Sequence, residues 1–176
     1  MNSDIYESLE QFDFIEEEYI QRVENQYSGS IGLFLIKFSF LEHWLDLSIA
    51  SIINERTDEI GYQVIERLGF ANKVDLFFKL CIRAANYKGK RYKAKLKSLR
   101  KTVEEINKFR NILAHANWSS INKKKYVRTK VFIDRETGDV KFQSTKLTPA
   151  MIKRKVKQVQ LLWYKLDQYA ESIFVN

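Results

Sequence analysis

Proline is almost absent from this sequence: there is one in 176 residues, Pro149. Glycine is scarce as well, at six. A sandwich or barrel needs many tight turns. A collagen-like or disordered chain needs far more of both residues. These classes are excluded, and long helices with few connections are expected. Cys81 is the only cysteine, so there is no disulfide framework and no cysteine zinc site. Lone cysteines on apolar helix faces read as core. Histidine occurs twice, at His43 and His115. Zinc binding and Cys–His catalysis therefore lack ligands and bases, and neither a metal nor a cofactor is expected. The glycines are scattered and form no phosphate-cradling loop, and no Gly-x-Ser-x-Gly elbow occurs. The N-terminus is acidic and lacks a signal peptide's basic start and apolar core. The most apolar stretch, Ile31 to Ile53, contains Lys37, Glu42, His43 and Asp46, which argues against a membrane span. The expectation is a soluble cytoplasmic protein with one domain over residues 1–176.

What is present is charge, unevenly placed. Residues 1–70 carry 14 acidic and 4 basic side chains, a balance of −10. Residues 71–176 carry 26 basic and 8 acidic, a balance of +18. Two readings stand side by side. The basic part serves an anionic partner, or the two parts neutralise one another in the fold.

Apolar spacing predicts a first helix over residues 4–26, from Ile5, Leu9, Phe12, Ile15, Tyr19 and Val23. Ser28-Gly29-Ser30 is read as a break. A second helix spans 31–54 on the stripe Ile31, Leu35, Phe38, Leu41, Leu45, Ile49 and Ile52. Leu33, Phe34, Ile36, Phe40, Trp44 and Ile53 widen that stripe until little polar surface is left. So apolar a helix sits at a bundle centre or in a subunit interface. Residues 55–70 read as a connection with a short helical piece ended by Gly69. Asn72 reads as the cap of a third helix over 72–85, and Asn86 to Arg91 as a basic loop. The fourth helix is expected over 92–117. Then the period changes: 125–133 and 140–147 favour strands around a turn at Arg135-Glu136-Thr137-Gly138. Thr148-Pro149 starts a last helix, 149–174. The predicted fold is mainly α: an antiparallel bundle of four to five long helices, with a β-hairpin insert (about 124–147) before the last helix.

Candidate chemistry centres on Phe109-Arg110-Asn111-Ile112-Leu113-Ala114-His115. Arg110 lies in register with Leu99, Val103, Ile106 and Leu113, an expensive place for a guanidinium unless acceptors await it. Asn111 and His115 are four apart and share a face. Arg110 and His115 differ by about 140° of helix rotation. A site using both needs the arginine to swing round, an irregular helix end, or a second copy supplying half. The same residues also suit a structural role, since an Arg and an Asn near a helix end can cap carbonyls.

The string Arg110-Asn111-x-x-x-His115, near the end of a late helix in an all-α bundle, resembles the HEPN superfamily (higher eukaryote and prokaryote nucleotide-binding domains). That family's signature is Arg, a polar residue, then His. The resemblance implies a homodimer in which two motifs meet near the two-fold. It implies that active members are metal-independent RNA endonucleases, a class that includes toxins and anti-phage effectors. A nucleotidyltransferase-type antitoxin is then the implied partner. His115 would be general base or acid, Arg110 would hold the scissile phosphate, and Asn111 would orient either. Many HEPN domains instead bind RNA, a nucleotide or a protein without catalysis.

Supporting positions are weaker. Glu42, His43 and Asp46 could project towards the site or simply bond between helices. Lys73, at a helix start, could touch phosphate. Lys123-Lys124-Lys125, with Tyr126, Arg128, Lys130 and Phe132 alternating on one strand face, interleaves charge with rings as an RNA-contacting ribbon would. A solvated strand face has the same pattern.

Overall fold

The structure is a computed structural model that describes residues 5–8 (as backbone), 17–54 and 59–174. The described elements are β1 (Ile5–Ser8), α1 (Glu17–Ile53), α2 (Glu59–Ile65), α3 (Phe70–Lys88), α4 (Lys90–His115), a 3-10 turn (Trp118–Ser120), β2 (Tyr126–Ile133), β3 (Val140–Lys146) and α5 (Pro149–Phe174). The fold is mainly helical, with an antiparallel hairpin inserted before the last helix, as the apolar periods predict. Among the described residues no helix is long and apolar enough to cross a membrane.

The N-terminal expectation is corrected. Residues 5–8 form a strand, not helix, and pair antiparallel with β3 in the order β1-β3-β2. The expected helical positions Leu9, Phe12 and Ile15 lie outside the described residues. There is also no break at Ser28-Gly29-Ser30: α1 runs unbroken for 37 residues. A helical glycine costs only about 1 kcal/mol against alanine. Burial on either side outweighs that cost, since Tyr27 is 1% and Phe34 0% exposed. The buried Ser30 hydroxyl is satisfied within the helix, donating to the Tyr27 carbonyl at 2.9 Å.

The connections are shorter than expected. Helix α3 begins at Phe70 with extended Gly69 as its N-cap, so Asn72 lies inside the first turn, its N–H on the Gly69 carbonyl. The predicted loop at 86–91 shrinks to Gly89, whose φ of +106° is the left-handed value that turns α3 directly into α4. Thr148 caps α5 as predicted: the Met151 N–H donates to its Oγ1 at 3.2 Å.

The chain forms two compact units. The first comprises residues up to Phe34 together with Arg110–Arg154. Its core holds Val23, Tyr27, Phe34, Leu113, Ile121, Val127, Leu147 and Ile152. The Tyr27 hydroxyl donates to the Leu147 carbonyl at 2.9 Å, which ties α1 to the chain just past β3. The hairpin turn is closed by Asp134. Its Oδ1 accepts from the Glu136 and Thr137 N–H groups, and its carboxylate pairs with Lys141. Those donors, Lys141 first, hold the Asp134 carboxyl down at about 2.

The second unit comprises Leu35–Phe109 and Lys155–Asn176. Phe38, Leu41, Leu45 and Ile49 of α1 are buried there with Phe77 and Phe78 of α3, Val103 and Ile106 of α4, and Leu162 and Leu166 of α5. Helix α2 lies directly on α1. A Cβ built on Gly61 would fall 2.3 Å from the Ala50 Cα. Alanine in a helix is worth about 1 kcal/mol over glycine. The clash is with backbone, and overpacking of that kind costs about 1–3 kcal/mol. Gly61→Ala is therefore expected to be net destabilising, with a lower urea midpoint; an unchanged or higher midpoint would contradict the close approach.

Burial also sets an alkaline limit. Cys81 is 0% exposed, and desolvation pushes its thiol up to about 12. Desolvation likewise pushes the Tyr169 phenol to about 12, and its hydroxyl donates to the Tyr92 carbonyl at 3.0 Å. Both groups hold their protons more tightly folded than unfolded. Their contribution is intact below pH 9 and is lost as pH rises towards 12. The Cys81 contribution alone predicts a fall of about 1.4 kcal/mol per pH unit in that window. Urea titrations between pH 8 and 10.5 should show this slope, flattened in Cys81→Ala.

Candidate functional site

The candidate residues separate by unit. Arg110, Asn111, His115 and the basic hairpin belong to the first unit, and Glu42, His43, Asp46 and Lys73 to the second. In the second unit Lys73 bridges two carboxylates, with Asp46 at 2.8 Å and Glu42 at 3.7 Å. These three groups thus bond α3 to α1, as the structural alternative for them holds. His43 is exposed beside an apolar groove.

In the first unit, Arg110 and Asn111 stand in the next-to-last turn of α4 and His115 is its final residue. Arg110 is half-buried, while Asn111 and His115 are exposed. An Arg110 Nη1–H donates to the Asn111 Oδ1 at 3.0 Å. That bond joins the guanidinium to Asn111, whose helix face His115 shares by its spacing of four.

The helix end is held by residues that sequence reasoning passed over. The Trp118 Nε1–H donates to the Leu113 carbonyl at 3.1 Å, occupying an acceptor the helix leaves open. Its ring lies 5.3 Å from that of Tyr27. The Asn117 N–H donates to the Arg128 carbonyl at 2.8 Å, and the Arg128 N–H donates to the Ser120 Oγ at 2.8 Å. Asn117 is two residues past His115, at most about 7 Å of chain. One backbone bond and one backbone-to-hydroxyl bond therefore moor the chain just past His115 to the hairpin strand carrying Arg128. The cluster Asn-Trp-Ser-Ser after a helix, rich in side chains that bond local backbone, was the available signal.

The hairpin's basic face needs correction. Tyr126, Arg128, Lys130 and Phe132 do not share one face. The register shifts between Arg128 and Lys130, with Thr129 as the extra residue. A one-residue bulge reverses the alternation beyond it. Tyr126 and Arg128 pair with Lys146 and Ser144, on the face of Phe142. Lys130 pairs with Gln143 and Phe132 with Lys141, on the opposite face. The Thr129 hydroxyl anchors the bulge, donating to the Gln143 carbonyl at 3.1 Å and lying 3.0 Å from the Thr145 hydroxyl.

The Arg128 guanidinium lies over the Phe142 ring, 4.7 Å from its centre. Lys123 and Lys124 are exposed at a turn organised by Asn122, whose Oδ1 accepts from the Lys124 and Tyr126 N–H groups. Lys125 adopts a left-handed φ of 69°, and its ammonium donates to Gln26 at 3.2 Å. The exposed cations beside the moored helix end are thus Lys123 and Lys124, with Arg128 on a ring next to them.

Among the described residues, no group of three or more His, Cys, Asp or Glu side chains stands close enough to hold a metal ion. What the arrangement offers is one imidazole, one guanidinium joined to an amide, and a basic strand. That set can grip a phosphodiester and move a proton. No protein-family model, curated protein or solved structure matches this chain.

Proposed function

We propose that the chain is a metal-independent RNA endonuclease of HEPN type, working as a homodimer with a composite Arg110/His115 site. The observation that carries this reading is the mooring of the motif helix to the basic hairpin, through Asn117 and Arg128. It supports the reading because it ties the chain just past exposed His115 to a strand that carries a cation suited to an RNA backbone.

In this scheme Arg110 binds the scissile phosphate and stabilises the added charge of its transition state. Asn111 holds the guanidinium in place through the 3.0 Å bond. His115 takes the proton of the ribose 2′-OH, and the freed oxygen attacks phosphorus. The leaving 5′ oxygen receives a proton from the partner's His115. The products are a cyclic phosphate and a 5′-hydroxyl, and DNA, lacking the 2′-OH, is not cut. Tyr126 and Arg128 engage the strand next to the cut by stacking and charge, with Lys123 and Lys124 on its phosphates. A cell carrying such an enzyme as toxin or anti-phage effector needs a restraint, and a nucleotidyltransferase-type antitoxin is the partner the resemblance implies.

A second reading, a non-catalytic RNA-binding module, is favoured by one observation: Arg128 is already stacked on Phe142, as in a binding platform. One experiment separates the two. Single-stranded RNA is incubated with the chain in EDTA, and bound and cut fractions are measured across a salt series. The nuclease reading predicts short products at low salt, with DNA of the same sequence intact. Salt-sensitive retention without products would replace it by the binding reading.

A further inference from the structure

The groove beside His43 lies wholly within the second unit, along residues 37–47 of α1 and 159–164 of α5. Its volume of about 450 Å³ is in the usual range for a small-molecule site. Buried Leu41 and Val159 form its floor. Its walls are aromatic: Phe40, Trp44, Trp163 and Tyr164 all line it. Of these, Phe40, Trp163 and Tyr164 are 60%, 46% and 55% exposed. A single exposed ring needs no explanation, but rings gathered round one hollow leave a contiguous apolar patch open to water.

Two of the four rings are hydrogen-bonded within the fold. The Trp44 Nε1–H donates to Asp167 of α5 at 2.9 Å, a bond that links the two helices beside the groove. The Gln168 Nε2–H donates to the Tyr164 hydroxyl at 2.7 Å. Side chains with partners of their own lose less freedom when a ligand docks. Charge in the groove has one sign. No Asp or Glu lines it, and Lys37 is its one Lys or Arg. Among the described residues the Lys37 ammonium meets no carboxylate; it lies 5.4 Å from the centre of the Phe40 ring. Exposed His43 and Gln160 add N–H donors at the margin.

We propose that this groove binds an aryl monocarboxylate, a small molecule with a flat apolar body and one negative charge. The ring system packs against Phe40, Trp163 and Tyr164, and the carboxylate accepts from the Lys37 ammonium, with Gln160 or His43 as a second donor. Each alternative chemistry fits less well. A polyphosphate leaves most of its charge unmatched by one lysine, a cation is repelled by Lys37, and a neutral hydrocarbon leaves the ammonium unused. The site lies in the second unit and does not rest on the ribonuclease reading, since its readout is binding of a small acid and not cleavage of RNA.

The test is an NMR titration of the full chain with naphthylacetate, read on the indole N–H signals of its three tryptophans. The Trp44 and Trp163 signals are expected to shift together and saturate with a Kd of about 0.1–1 mM, while Trp118 of the first unit stays in place. The uncharged naphthylacetamide has the same rings, so comparing the two on wild type isolates the charge without any substitution. The amide is expected to bind at least about tenfold more weakly. Lys37→Gln is expected to bring the acid down to the level of the amide and to leave the amide unchanged. Trp163→Ala is expected to weaken the acid at least about tenfold, read on Trp44. Circular dichroism melts check that both variants are folded. No saturation up to about 5 mM, equal affinity for acid and amide, or a folded Lys37→Gln chain that still prefers the acid would each overturn the proposal.

Discussion

His115→Ala is expected to slow RNA cleavage about 10²- to 10⁴-fold, the usual contribution of a positioned acid–base group. Arg110→Ala should cost about 10²- to 10³-fold, like the removal of one transition-state donor. The fold should survive the first change, because His115 is exposed at the end of α4 and no core contact depends on it. Arg110→Lys is expected to recover little, since an ammonium cannot hold both the Asn111 oxygen and a phosphate in one plane. Single-turnover rates, read beside circular dichroism, check these values. Full activity in either alanine variant would remove the residue from its assigned role. The two losses should not add when combined, because both residues serve one step.

The second large effect concerns stability. Tyr27 is 1% exposed, the largest fully buried side chain among the described residues of the first unit. It packs on Trp118, and its hydroxyl satisfies the Leu147 carbonyl. Tyr27→Ala is expected to cost about 3–5 kcal/mol, as for other large aromatic truncations in a core. That is a large part of the stability of a chain this size. Cleavage should fall with it, because Trp118 braces the end of α4. Tyr27→Phe keeps the ring and leaves the carbonyl without its donor, so about 1–3 kcal/mol is expected. Urea midpoints order the three proteins. Equal midpoints for Tyr27→Ala and wild type would contradict the packing described.

Helix positions were legible wherever apolar residues repeat at three and four. The bounds of α4, α5, β2 and β3 agree with sequence reading to within about two residues. Gly89 and Gly69 were visible as punctuation, but the lengths of the connections were not. A glycine alone does not say whether it ends a helix or joins two. The unbroken α1 was hidden because Ser28-Gly29-Ser30 looks like a turn locally, and only the burial of Tyr27 and Phe34 overrides that. The strand at Ile5–Ser8 was read as helix because its pairing partner, β3, lies more than 130 residues away.

The candidate site divides in the same manner. The Arg110-Asn111-His115 spacing is a local pattern, so sequence alone could show it. The Asn117–Arg128 bond is a backbone contact across a chain reversal; the Asn-Trp-Ser-Ser cluster marks the helix end but not the strand it bonds to. The bulge at Thr129 split the basic face for a similar reason: period-two alternation assumes that no residue is inserted. The groups suggested on the second helix read differently again. Glu42 and Asp46 carry the opposite charge to Lys73 at helix positions, and both pair with it.

The central claim is that this chain's own His115 cuts RNA through the 2′-OH. The most direct measurement is mass spectrometry of the RNA ends produced in EDTA by wild type and by His115→Ala, purified in parallel. Wild type is expected to give 2′,3′-cyclic phosphate ends, and the variant at least a hundredfold fewer. Equal product from both preparations, or ends without the cyclic phosphate, would contradict it.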